Sequence, residues 1–114
     1  MYKNLTVRVM ESIMLAWAWG PVSDRMEDKD RVYLKDISLA TTQIMNYQNK
    51  ISSRKLAHTM KTYLNLNTIR ATDGIPQYKG TYYVNMPLVY PQVKSLCERW
   101  SVEWKQRGSV KRPV

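Results

Sequence analysis

Phenylalanine is absent from the 114 residues, and cysteine and histidine occur once each, as Cys97 and His58. A lone cysteine excludes an internal disulfide, so nothing calls for an oxidising compartment and a reduced, cytoplasmic setting is expected. One His and one Cys also fall short of the roughly four ligands of a closed zinc site. The acids Asp24, Glu27, Asp28 and Asp30 lack the Gly and the closing Glu of a calcium loop. No metal and no cofactor is therefore expected. His58 and Cys97 have no catalytic signature around them, and the chain reads as a protein that is not an enzyme. A long apolar run is missing too: "IMLAWAWG", residues 13 to 20, is too short to span a bilayer. Arg8 and Glu11 sit where the uncharged core of a signal peptide would form, so the stretch reads as part of a folded helix and no membrane role is expected.

What is present suits one compact domain. The hydrophobic content is 44%, with Tyr and Trp supplying all the aromatic bulk. Lys and Arg number 18 against 9 Asp and Glu, a formal charge of +9, which favours polyanionic partners, nucleic acid before anionic membrane. The charge is unevenly placed. Asp24, Glu27, Asp28, Asp30 and Asp36 crowd residues 24 to 36 among Arg25, Lys29, Arg31 and Lys35. No acid then occurs until Asp73, while Lys50, Arg54, Lys55, Lys61 and Arg70 do. The end of the chain, "KQRGSVKRPV", is again cationic without acids.

Apolar spacing predicts a first helix over residues 5 to 18, stopped by Gly20-Pro21. A second helical pattern covers about 31 to 48, with a break near Ser38, and includes Val32, Leu34, Ile37, Ala40, Ile44 and Tyr47. The third is the clearest. It begins at Ser52 or Ser53 as N-cap and runs to Leu64, with Leu56, Met60, Tyr63 and Leu64 on the expected buried face and Arg54, His58, Lys61 and Thr62 opposite. Asp73-Gly74 and Lys79-Gly80 are turn signals, and Thr81 to Met86 alternates Tyr82, Val84 and Met86 with Thr81, Tyr83 and Asn85, the pattern of a β-hairpin. Pro87 and Pro91 then admit a last helix near 91 to 107, carrying Val93, Leu96, Cys97, Trp100 and Trp104 and stopped by Gly108, with Glu103 and Arg107 as an i,i+4 pair. Residues 109 to 114 are expected to be a flexible basic tail.

Helices followed by a hairpin with a basic loop are the element order of a winged helix-turn-helix domain, an α+β, mainly helical fold here flanked by extra N- and C-terminal helices. "YLKDI" (33 to 37), "ISSRKLAHTMKTYLNLNTIR" (51 to 70) and "YKGTYY" (78 to 83) resemble the winged-helix module that ends helicase- or primase-like replication proteins of phages and mobile elements. The likeness covers about half the chain. No Gly-rich nucleotide-binding loop is present, so no ATPase or helicase activity carries over. The resemblance implies duplex DNA binding in replication or transcription control. Arg54, Lys55, His58, Lys61 and Arg70 are the expected DNA contacts, Asn65 and Asn67 the base readers, and Gln77, Tyr78 and Lys79 the wing residues on the backbone or minor groove. Either the helix from 53 to 64 or a short helix within "NLNTIRAT" would be the recognition helix.

Three other readings remain. The fold could modulate a host polymerase or replication protein through an acidic partner surface. RNA could stack on Tyr78, Tyr82 and Tyr83, although alternation puts the last two on opposite faces. Trp17, Trp19, Trp100 and Trp104 either pack on one another or form a homodimer seam suited to a two-fold DNA site.

Overall fold

The computed structural model describes residues 4 to 46 and 50 to 113. Tyr47, expected on the second helix, lies outside them. Helix α1 is Leu5–Ala18, the span predicted, and it opens on Asn4, whose side-chain oxygen accepts from the Val7 N–H at 3.0 Å. Its apolar repeat puts Val9, Met10, Ile13, Met14, Ala16 and Trp17 in the core. Two further helices, α3 (Leu34–Ile44) and α4 (Ser53–Leu64), pack against it, and a four-residue helix, α2 (Met26–Lys29), lies in the acid-rich stretch.

A small antiparallel sheet closes the other side. Its strands are β1 (Arg31–Tyr33), β2 (Ile69–Arg70) and β3 (Tyr82–Asn85), in the order β1-β3-β2. The protein is therefore α+β, mainly helical, with three short strands. Residues 31 to 33 were expected to be helical. They are a strand because both faces find partners: Val32 stands opposite Val84 in the main core, and Tyr33 opposite Tyr83 in a second cluster that Ala71 completes. The break expected near Ser38 is also absent. Ser38 is satisfied inside an unbroken α3, its hydroxyl donating to the Ile51 carbonyl, and Thr41 accepts from the Ile51 N–H at 3.2 Å.

The last helix, α5, is Met86–Trp100, five residues earlier at its start than predicted. Asn85 caps it, and Pro87 falls in the first turn, where the missing N–H has no helical partner to lose. Pro91 removes one bond farther along, at an exposed position, and the helix continues past it. Ser101, in the left-handed conformation at φ 56, ends α5 before Trp104. Glu103 and Arg107 consequently share no helix: Glu103 pairs with Lys105 at 3.6 Å, and Arg107 turns inward.

That inward turn replaces the flexible tail with a docked one. The Arg107 guanidinium donates to the carbonyls of Trp17 (3.1 Å), Asp28 (3.3 Å) and Arg31 (2.9 Å) and stacks 4.2 Å from the centre of the Trp17 ring. Burial, with Arg112 nearby, pulls its pKa down to about 10, which leaves it charged at neutral pH. The Val110 N–H donates to the Ala18 carbonyl at 3.0 Å, and Arg112 donates to the Gly20 carbonyl at 3.0 Å.

The tryptophans are taken up in the same way. Trp17 and Trp104 both meet Tyr90 edge-on, at 5.8 and 5.6 Å between ring centres, and Trp100 is half-buried against the core. Trp17 and Trp19 are buried within the chain and present no face for a dimer seam. Among the described residues, no helix is long and apolar enough to cross a membrane.

Candidate nucleic-acid interface

Helix α4 is held in place by its own caps and one apolar stripe. Ser52 accepts from the Lys55 N–H at 3.2 Å, and Leu56, Thr59, Met60 and Leu64 are buried. Tyr63, expected among them, is 66% exposed. The chain reverses at Asn65, in the left-handed conformation, so that the Leu66 N–H reaches the Met60 carbonyl at 3.0 Å and Leu66 fills the core below the last turn. The opposite side of α4 carries Arg54, His58 and Lys61 at i, i+4 and i+7, with Lys55 beside them, all exposed. None of the four is ion-paired among the described residues.

The segment after α4 is extended, which rules out a short helix in "NLNTIRAT". It nevertheless serves the same surface. His58 and Lys61 line a shallow cleft with Ala57, Leu66, Asn67 and Thr68, so Asn67 joins the α4 cations. Asn65 is exposed but its backbone is committed to ending the helix. Arg70 is exposed on β2, opposite Tyr82, itself 47% exposed. Tyr83 faces the other way and is buried, as the alternation predicted.

At its other end α4 borders a second cleft, lined by Lys35, Ser38, Lys50, Ser52 and Ser53. Lys35 and Lys50 had no helical spacing to mark them as partners, because α3 and the chain before α4 bring them together only in the fold. Lys35 also links this cleft to the β2–β3 loop: its Nζ donates to the Gln77 carbonyl at 3.2 Å and lies 5.3 Å from the centre of the Tyr78 ring.

The β2–β3 loop, residues 71 to 81, is folded down on α3. Two backbone bonds close its base, from the Ala71 N–H to the Thr81 carbonyl (2.8 Å) and from the Gly80 N–H to the Ala71 carbonyl (2.7 Å), and Pro76–Tyr78 form one 3₁₀ turn. Gln77 and Lys79 are exposed. Tyr78 departs from the expected contact role. Its hydroxyl donates to Asp36 Oδ1 at 2.9 Å and its ring packs 4.5 Å from that of Tyr33. Burial, with the Asp36 charge beside it, pushes the phenol up to about 12. Asp36 is 42 residues away in sequence, so no local pattern marks this contact.

Acids near this surface are already engaged. Asp28, fully buried, accepts from the Ser23 and Tyr33 hydroxyls. Asp36 accepts from Tyr78 and Arg112, and Asp73 pairs with Arg31 at 2.8 Å while the Arg31 guanidinium stacks over Tyr83. The described residues hold no group of His, Cys, Asp or Glu suited to a metal ion. Comparison with known proteins found no match: no family model, no curated protein and no solved structure resembles the chain.

Proposed function

We propose that the chain binds duplex DNA as a winged-helix domain and acts in replication or transcription control. The observation that carries this reading is a conjunction. From β1 onward the elements run strand, helix, helix, strand, loop, strand, with β3 central in the sheet, and α4, the last helix before β2, turns an acid-free row of cations to solvent. A helix and a loop of this kind are the pair of elements a duplex accepts in its groove and along its backbone.

In this reading α4 enters the major groove with Arg54, His58 and Lys61 forward and Asn67 beside them as a base reader. Lys55, Lys35 and Lys50 meet phosphates, and the loop, now a wing, grips the adjacent backbone with Gln77 and Lys79. Tyr78 supports the wing from beneath. Arg70 contributes positive field at its base.

Fluorescence anisotropy of labelled random duplex DNA, beside an RNA duplex of equal length, tests this at two salt concentrations. Binding that prefers DNA and falls steeply with salt supports the proposal. No binding to DNA even at low salt overturns it and moves the search to an acidic protein partner.

A further inference from the structure

We infer that the C-terminal segment is a positioning device for the wing, acting through Arg112 and Asp36 on the backbone contact made by Lys79; this rests on the DNA-binding reading above. The link is a single oxygen. Asp36 Oδ1 receives the Arg112 guanidinium at 2.9 Å and the Tyr78 hydroxyl at 2.9 Å. Tyr78 is the immediate neighbour of both exposed wing residues, Gln77 and Lys79, and its own carbonyl accepts from the Thr81 hydroxyl at 2.6 Å and the Thr81 N–H at 3.0 Å. Moving the Tyr78 side chain therefore moves Gln77 and Lys79.

Asp36 is 6% exposed. A carboxylate at that depth keeps its charge only where donors replace water, and Arg112 is its only ion-pair partner among the described residues. Arg112 is in turn placed by residues remote from the wing: the Gly20 carbonyl, the Trp19 ring 5.7 Å away, and the backbone bond from Val110 to Ala18. The end of α1 thus reaches the wing through the C-terminal segment. With Arg112 gone, Asp36 loses one of the two donors on its Oδ1 and turns toward water, which weakens its hold on the Tyr78 hydroxyl. The wing then samples more positions, and fixing it on DNA costs affinity that the docked segment otherwise saves.

Two measurements on the full chain separate this inference from the DNA reading. The first needs no DNA: amide hydrogen exchange of the 71 to 81 region in Arg112→Gln, Asp36→Ala and Tyr78→Phe. Faster exchange there, with α1 and α4 unchanged, is expected in all three. Tyr78→Phe removes one hydroxyl and keeps the test alive should a bulkier change prevent folding. The second is duplex affinity. Arg112→Gln is expected to weaken binding by about three- to tenfold, the cost of ordering one or two side chains. Asp36→Ala should also weaken it, although removing an acid raises the net charge and by field alone would tighten binding. In a Lys79→Ala background the Arg112→Gln loss should largely vanish.

Unchanged exchange in the loop overturns the inference. So does an Arg112→Gln loss that persists in full without Lys79, which would make Arg112 a direct contact. Faster loop exchange in a protein that binds no duplex would uphold the linkage and overturn the DNA reading instead.

Discussion

Residues 23 to 36 and residues 50 to 70 are both rich in charge, but only the first has charged side chains drawn into the fold. In the first stretch Asp28, Arg31 and Asp36 are drawn into a network with Ser23, Tyr33, Asp73, Tyr78 and Arg112, and backbone carbonyls of the same stretch receive Arg107. In the second, Lys50, Arg54, Lys55, His58 and Lys61 all face solvent, with no ion-pair partner among the described residues. Charge held inside the fold is committed to partners there. Charge left outside, with no acid to offset it, is available to a ligand.

The largest effect on stability should come from Arg107. Arg107→Ala strands three carbonyls and uncovers Trp17, and urea unfolding should show a loss of about 3 kcal/mol. Asp28→Ala leaves the Tyr33 hydroxyl without its acceptor, and the same measurement should lose about 2 kcal/mol. Losses within about 0.5 kcal/mol, the range of ordinary surface changes, would break the contrast between the two regions.

Alkali should reach the same network. Burial raises the Tyr33 and Tyr78 phenols from 10.0 to about 12, so the folded state holds their protons more tightly than the unfolded chain does. Their contribution is complete below pH 10 and is lost as pH rises toward about 12, which a pH series of thermal unfolding would detect. Replacing either tyrosine by Phe should flatten that decline.

The smallest effect sharpens the role of one site residue. Asn65 holds φ 54 at the end of α4, a conformation that glycine adopts more easily, so Asn65→Gly should raise stability by up to about 1 kcal/mol. If its side chain also reads a base, the same variant lowers affinity for a selected DNA site while random duplex binding stays unchanged.

How much of this was legible beforehand differs by element. Helices α1 and α4 follow their predicted bounds because long apolar repeats run through both and Ser52 marks the start of α4, although Tyr63 falls outside the buried face. Strand β1 was hidden: three residues, with Val32 and Tyr33 buried on opposite faces, look like one more turn of the helix that follows, and only the distant β3 separates the two. Pro87 reads as a breaker by composition but as a first-turn residue once Asn85 is seen as a cap. The exposed cations on α4 were readable from spacing. The engaged roles of Tyr78, Arg107 and Arg112 were not, since each depends on partners more than 40 residues away.

One experiment tests the central claim, that the α4 and wing cations serve a ligand rather than the fold. The variant combining Arg54→Ala, Lys61→Ala and Lys79→Ala would be measured for thermal unfolding and for duplex DNA affinity across a salt series. The expected result is an unfolding midpoint close to that of the unmodified chain, much weaker binding, and a salt slope reduced by about 1, for the phosphate that Lys79 no longer neutralises. Full-strength duplex binding by the triple variant would contradict it.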